Sequence, residues 1–160
     1  MGLQDDIGNG LIAAMQDTVT VFDTILGGSG SGLYAFYQVV PHKGFDGVQS
    51  WCIIRPGPSQ TLRRVGTQYQ KMYSYLAEFH IAPGGDRGLS RTQIADGFLA
   101  AFGEGGDDLL ENHITDTGSK LLSGGDGEAD WTDEPIAPAQ RQEQIEVLTY
   151  EIAVTVWRGP

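Results

Sequence analysis

The residues that could do chemistry in this sequence are few and scattered. Acidic residues alternate at Asp126, Glu128 and Asp130, which is how a calcium-binding loop begins. Such a loop needs glycine at its sixth position and glutamate at its twelfth, where this chain has Trp131 and Ala137. We therefore interpret the stretch as a solvated acidic loop.

The histidines and the single cysteine show no metal-binding or nucleophile signature. His42, His80 and His113 lie far apart and no second cysteine is present, so the spacing predicts no zinc site. Cys52 lies in the run Trp51-Cys52-Ile53-Ile54, which predicts a buried, unreactive thiol. His80 falls on the polar side of an alternating segment and is expected to be exposed. No serine lies in a nucleophile-elbow pattern, so we expect no enzyme, catalytic residue, metal or cofactor.

Length and composition indicate a single domain over residues 1–160. No apolar stretch approaches the length of about 20 residues that spans a bilayer, and the first six residues do not resemble a signal peptide. We therefore expect a soluble protein made in a cytoplasm. The glycine- and serine-rich residues 27–32 lack the Gly-Lys-Ser/Thr of a phosphate-binding loop and are interpreted as a flexible hinge.

Charge is distributed unevenly along the chain. The net charge is −11, and residues 104–134 account for −9 of it, with ten acidic residues and one lysine. No acidic residue occurs in 47–77, where the cations are Arg55, Arg63, Arg64 and Lys71. This polarity could pair the basic segment of one copy with the acidic face of another, or it could describe two solvated surfaces. Four cations in an acidic protein are a small footprint for binding nucleic acid, whereas an acidic wall would let DNA slide past.

The chain is organised around residues 69–102. Alternation over Tyr69–Ile81 predicts a strand with one apolar, aromatic face. A turn at 83–86 leads to a helix expected to begin near Ser90, whose capping partner would be Gln93. The apolar stripe of that helix comprises Ile94, Phe98, Leu99 and Phe102, and Gly103 and the glycines after it end the helix.

The N-terminal half predicts further elements. Apolar spacing over 3–26 indicates an amphipathic helix whose beginning Gly8 and Gly10 could delay, with a strand as the alternative for its second half. Residues 33–40 are extended or a short helix, with extended structure favoured. A strand over 48–55 should end at Pro56-Gly57-Pro58, leaving 56–68 as an arginine-bearing loop.

The C-terminal half ends in a clear strand. A short helix is predicted within 107–122, an exposed acidic loop over 124–134 and a polar segment over 136–144. Residues 145–157 then alternate strictly between apolar and polar positions. Together these elements predict an α+β fold, with an antiparallel or mixed four-stranded β-sheet and helices packed on one face.

This layout resembles the tail terminator, or tail completion, proteins of long-tailed bacteriophages. The resemblance covers about residues 5–157 and lies in the order of elements. An N-terminal amphipathic helix is followed by a strand ending in Pro-Gly (51–57), an arginine-bearing loop (62–65), a long aromatic strand (73–79), a helix after an Asp-containing turn (86–102) and a closing strand (148–156). The hinge at 27–32 and the acidic region at 104–134 depart from the family pattern.

The resemblance implies a virion protein of the tail and neck, assembled in the host cytoplasm as a homo-hexameric ring on the tail tube. Such a ring ends tube polymerisation and joins the tail to the head-completion (stopper) connector, while DNA passes through its lumen without sequence-specific binding. No membrane and no cofactor are implied. We assign Arg55, Arg63, Arg64 and Lys71 to contacts with a neighbouring subunit or with the tube.

Two alternatives remain open on the sequence. One is another head–tail adaptor or a tail tube protein built from similar elements. The other is a small cellular domain that binds a ligand among Tyr34, Phe36, Tyr37 and Tyr73.

Overall fold

A computed structural model describes residues 2–16, 35–38, 51–81, 87–103, 110–114, 119–122, 129–136, 140–142 and 145–158. The predicted turn at 83–86, the hinge at 27–32 and residues 17–26 lie outside these ranges. Within them the chain forms α1 (Leu3–Gln16), β1 (Ala35–Tyr37), β2 (Trp51–Val65), β3 (Gln68–Ile81), α2 (Arg87–Phe102), a 3-10 turn (Leu110–His113), β4 (Ser119–Leu122), β5 (Asp130–Trp131), β6 (Gln140–Gln142) and β7 (Ile145–Arg158).

One mixed sheet organises these elements, and the predicted α+β fold is confirmed. Four strands lie side by side in the order β1-β2-β3-β7. The β1–β2 pair is parallel, and the β2–β3 and β3–β7 pairs are antiparallel. The short strands β4, β5 and β6 all pair with the opposite side of β7, which we call the far edge of the sheet.

The core lies on one face of β3 and β7, as their alternation predicts. Five alternate residues of each strand point to it and are buried: Tyr73, Tyr75, Ala77, Phe79, Ile81, Leu148, Tyr150, Ile152, Val154 and Val156. Phe98 of α2 packs edge-on against Phe79 and Tyr150, with ring centroids 5.8 and 5.4 Å apart. Ile7, Leu11 and Met15 of α1 belong to the same buried cluster. The two helices therefore cover one face of the sheet, because their apolar stripes meet its aromatic side.

Two details of the helices differ from the prediction. Helix α2 begins at Arg87, so Ser90 lies inside the helix and is not its cap. Leu99 is 56% exposed, because the buried stripe follows Ile94, Phe98 and Phe102 at four-residue spacing. The predicted end at Gly103 is confirmed, and its backbone N–H donates to the carbonyl oxygen of Leu99.

Helix α1 confirms its prediction over Leu3–Gln16 and begins before its glycines. Gly8 is required by packing: a Cβ atom placed there would lie 2.2 Å from Cε1 of Tyr37. The Tyr37 hydroxyl donates to Oδ1 of Asp5 over 2.8 Å, one helical turn before Gly8. The glycine therefore lets β1 approach the helix closely, and it does not delay the beginning of α1.

The largest error of the sequence prediction concerns Pro56-Gly57-Pro58. They do not end the strand, and residues 56–68 are not a loop: β2 continues to Val65 and pairs with β3 throughout. A register shift between Pro56 and Ser59 takes Gly57 and Pro58 out of the ladder. A bulge of this kind accommodates residues that cannot supply regular strand hydrogen bonds.

The C-terminal half also differs in part. The helix predicted within 107–122 is a single 3-10 turn followed by β4, and the acidic loop contains the short strand β5 after buried Ala129. The polar segment 136–144 includes β6. The closing strand over Ile145–Arg158 is confirmed, and its length is explained by pairing with β3 on one side and three short strands on the other.

Two buried tyrosine hydroxyls provide a matched test of the core. The Tyr75 hydroxyl donates to the carbonyl oxygen of Gln4, whereas that of Tyr150 has no hydrogen-bond partner in the described part of the chain. We expect Tyr75→Phe to lower the free energy of unfolding by about 1 kcal/mol, and Tyr150→Phe to leave it unchanged or raise it. Urea titration of both variants checks this. An equal loss in both would contradict the assigned hydrogen bonding.

The contact between α1 and β1 gives a second test. We expect Gly8→Ala to destabilise the fold by about 1–3 kcal/mol, since the clash with Tyr37 exceeds the gain in helix propensity. Gly10→Ala is the control, because a Cβ atom there would lie 3.2 Å from its nearest neighbour, Cγ1 of Ile114, a contact that a shift of a few tenths of an ångström relieves. If both variants unfold at the same temperature, the close approach of Tyr37 is wrong.

Candidate functional site

The outer part of β2 and the turn after it form an exposed edge of the sheet. We call residues 58–67 the arm; all of them are exposed, although those of β2 pair with β3. The turn is made by Gly66, whose φ is +62°. Leu62 and Val65 are 45% and 48% exposed. The arm is thus an ordered edge strand and turn, and its large apolar side chains are about half exposed.

The outer edge of β2 is open along the arm. Strand β1 pairs only with Cys52, Ile53 and Ile54, and the side chain of Gln4 donates to the Gly57 carbonyl oxygen over 3.1 Å. Beyond Gly57, no described residue pairs with this edge. Backbone N–H and C=O groups that point away from β3 are therefore available to another chain.

The register distributes the four predicted contact residues over both faces of the sheet. Arg64 pairs with Tyr69, and so shares the core-side face with Lys71. Arg63 pairs with Gln70 and Arg55 with Leu76, both on the opposite face. The four cations are therefore not one patch. Arg63 and Arg64 lie in the arm, and no acidic group in the described ranges pairs with them.

The other two predicted residues are engaged within the chain. The ammonium group of Lys71 lies 5.2 Å from the centre of the Tyr73 ring, a cation–π contact. Nε of Arg55 lies 3.5 Å from Oε2 of Glu78, at a largely exposed position. These contacts hold Arg55 and Lys71 against their own sheet.

A polar cluster that sequence reasoning missed lies on the face opposite the core. The rings of Trp51 and His80, cross-strand partners, stack with centroids 3.8 Å apart and planes 6° from parallel. Nε2 of His80 is buried and lies 3.7 Å from Oε2 of Glu78. The expectation that His80 is exposed is wrong: its side chain is 19% exposed. Only the pairing register, which a single strand does not reveal, places it beside Trp51.

Burial lowers the pKa of His80 from its ordinary value of 6.5, and nearby Arg55 adds to this, while the carboxylate of Glu78 acts in the opposite direction. The neutral imidazole is therefore the form that suits this site. Cys52 lies on the other face, fully buried as predicted, and burial raises the pKa of its thiol. The Cys52 thiol and the His80 imidazole therefore lie on opposite faces of the sheet and cannot form a catalytic pair.

The pocket expected among four aromatic residues is only partly described. Tyr34 lies outside the described residues, as does the side chain of Phe36. The Tyr37 hydroxyl is bound to Asp5, and burial together with that hydrogen bond raises its pKa to about 12. Tyr73 is buried in the core. The two described tyrosines thus serve packing between α1 and the sheet.

Acidic groups lie along the middle of the far edge. Asp130, Asp133 and Glu134 are exposed, and we call these three residues the acidic edge. Nε1 of Trp131 donates to Oδ1 of Asp133 over 3.2 Å, and the Trp131 ring lies 6.4 Å from that of Phe102. Of the three alternating acids Asp126, Glu128 and Asp130, only Asp130 is described, and it lies in β5. The described residues include no cluster of three or more potential metal ligands.

No protein-family model matches this chain, and no curated protein matches it. None of the helices within the described ranges is long and apolar enough to cross a membrane.

The environment of His80 predicts a pH dependence of stability. Because its folded pKa lies below the unfolded value, its contribution is fully present above pH 6.5 and is lost as the pH falls through the folded pKa. We expect wild-type protein to lose stability as the pH falls below about 6.5, and His80→Phe, which retains a stacked ring, to lose less. Urea unfolding at a fixed protein concentration measures both. An identical pH dependence in the variant would exclude His80 as its source.

Proposed function

We propose that this protein is a tail terminator of a long-tailed bacteriophage. Its copies would form a ring, six by the family resemblance, at the head-proximal end of the tail tube. The ring would end tube polymerisation and offer a surface to the head-side connector, with DNA passing through the lumen. The role requires neither catalysis nor a cofactor. The observation that supports it best is the exposed arm at the outer edge of β2.

The arm is difficult to explain by the needs of a single chain. Ordering each backbone residue costs about 1–2 kcal/mol of conformational entropy, which burial normally offsets. Residues 58–67 are exposed throughout and expose two large apolar side chains, Leu62 and Val65. A second chain packed against the arm would supply the missing burial. An ordered strand edge that exposes apolar side chains is a surface that a subunit can use to engage a neighbour.

The charges of the arm favour a protein partner with carboxylates. Arg63 and Arg64 present planar guanidinium groups that bind carboxylates through paired hydrogen bonds. We therefore keep these two residues as contacts with a neighbouring subunit or with the tube. Arg55 and Lys71 already have partners in their own sheet, so the proposal does not depend on them.

The overall charge suits a passage for DNA. The chain has a net charge of −11, most of it in residues 104–134. A ring of such subunits would have a strongly negative surface, which repels phosphates and prevents DNA from adhering to the wall. The acids could line the lumen or the outer wall.

A tail tube or adaptor protein remains the second candidate, since the same arm would serve a subunit that polymerises. The distinction lies in assembly: a tube protein grows without limit, whereas a terminator forms discrete rings. A cellular ligand-binding domain would remain monomeric.

We expect light scattering across a concentration series to give a discrete native mass of six chains, or a monomer that becomes a ring when tail tubes are added. Electron microscopy should then show the ring at one tube end and no further elongation. Open-ended growth would indicate a tube protein. A monomer indifferent to tubes would exclude both phage roles.

The arm can be tested directly. We expect Arg63→Glu/Arg64→Glu to abolish ring formation or tube capping, because both guanidinium groups are replaced by carboxylates. Arg63→Lys/Arg64→Lys keeps the charge at the same positions and should retain assembly in part. Circular dichroism and thermal unfolding confirm that each variant is folded. A glutamate variant that still forms rings and caps tubes would exclude the arm as the contact.

A further inference from the structure

We infer that the arm of one copy docks on the acidic edge of a second copy. The outer edge of β2 in one chain then meets the far edge of the sheet in the next chain. The inference rests on the proposed function and goes further by naming the partner surface. It commits to a second copy of this chain as the occupant.

The two surfaces cannot meet within one chain. The sheet order places β3 and β7 between β2 and β5, so the two edges lie about 14 Å apart across the sheet. Arg63 lies in the row of Gln70 and Trp157, whereas Asp130 lies opposite Ala153. That offset of four residues adds about 13 Å along the strands. An ion pair between them must join different molecules.

The two surfaces are complementary in charge. The arm has Arg63 and Arg64, within a segment that contains no acidic residue from 47 to 77. The acidic edge has three exposed carboxylates within five residues. It is bounded along the far edge by strand β4, which contains Lys120, and strand β6, which contains Arg141. Opposite charges on the arm and the acidic edge would favour their docking.

Both surfaces also expose apolar side chains beside their charges. The large apolar residues that are exposed in the described ranges are Leu62, Val65, Leu99 and Ile136. Two of them belong to the arm, and Ile136 follows the acidic edge by two residues. Leu62 and Val65 could therefore pack against Ile136 and the half-buried Trp131. Apolar contact flanked by ion pairs is the usual composition of a specific interface.

The receiving surface is held in place by its own backbone. The N–H of Thr132 donates to the carbonyl oxygen of Glu151 over 3.1 Å, and that of Ile136 donates to Thr149 over 2.8 Å. Segment 130–136 is thus bound to β7 at both ends, and Trp131 anchors Asp133 between them. A surface ordered before docking loses little entropy on binding.

The contact is heterologous, because an arm meets an acidic edge and not another arm. Each copy then offers one arm and one acidic edge, so association gives a ring if the rotation between copies closes and an open filament if it does not. The geometry thereby supplies the type of contact that a closed ring requires.

Charge reversal tests the inference. The arm variant is Arg63→Glu/Arg64→Glu and the edge variant is Asp130→Lys/Glu134→Lys, which leaves the Trp131–Asp133 hydrogen bond in place. Each variant alone should associate at least about tenfold more weakly than wild type, because its two surfaces then have the same sign. An equimolar mixture should restore rings of alternating copies. Light scattering measures the masses, and native mass spectrometry gives the composition of mixed rings.

The control is Asp96→Lys, which makes one such acid-to-lysine reversal at an exposed position of α2. It should retain wild-type association and should not rescue the arm variant. If wild type forms rings but the mixture of arm and edge variants does not, the docking inference is wrong while the proposed function stands. If wild type neither forms rings nor caps tubes, both are wrong. If the arm and edge variants form rings only when they are mixed, the two surfaces meet between copies.

Discussion

The pairing of β3 with β7 is the constraint on which the rest of the fold depends. Their ladder runs from Tyr69–Arg158 to Ile81–Glu146 without a register shift. Because side chains alternate, this one register decides which residues of both strands enter the core, and a slip of one residue would invert them. It also leaves one side of β3 free to pair with β2 and one side of β7 free to pair with the three short strands of the far edge. Helix packing, the arm and the acidic edge all follow from it.

How much of the fold the sequence predicts depends on whether a segment has its own periodic signal. Strands β3 and β7 alternate strictly over many residues, and α2 has a regular apolar stripe, so their existence and buried faces could be predicted. Strands β5 and β6 have two and three residues and no pattern of their own. They exist because β7 offers an unpaired side. The arm was misread for a related reason, since pairing with β3 overrides the local preference of Pro56-Gly57-Pro58 to end a strand.

The candidate site also combines residues that composition reveals with residues that only strand pairing reveals. The sequence identified Arg63 and Arg64 because arginines within a segment free of acids stand out in an acidic chain. It could not separate them from Arg55 and Lys71, whose ion pair and cation–π contact depend on cross-strand neighbours. The Trp51–His80 stack joins residues 29 positions apart and is visible only in the register. Composition therefore singles out the arginines, whereas cross-strand pairing decides which of the four cations contact their own sheet.

An exposed strand edge is a hazard, because any other extended segment can pair with it and begin aggregation. The outer part of β2 has features that restrict such pairing. Two prolines remove backbone donors, register shifts at Pro56/Ser59 and Thr61/Arg63 distort the ladder, and adjacent arginines repel an identical edge. Indiscriminate edge-to-edge association of like copies is thereby disfavoured, whereas a surface bearing carboxylates is attracted. These features of the edge are the ones that the proposed charge-selected interface requires.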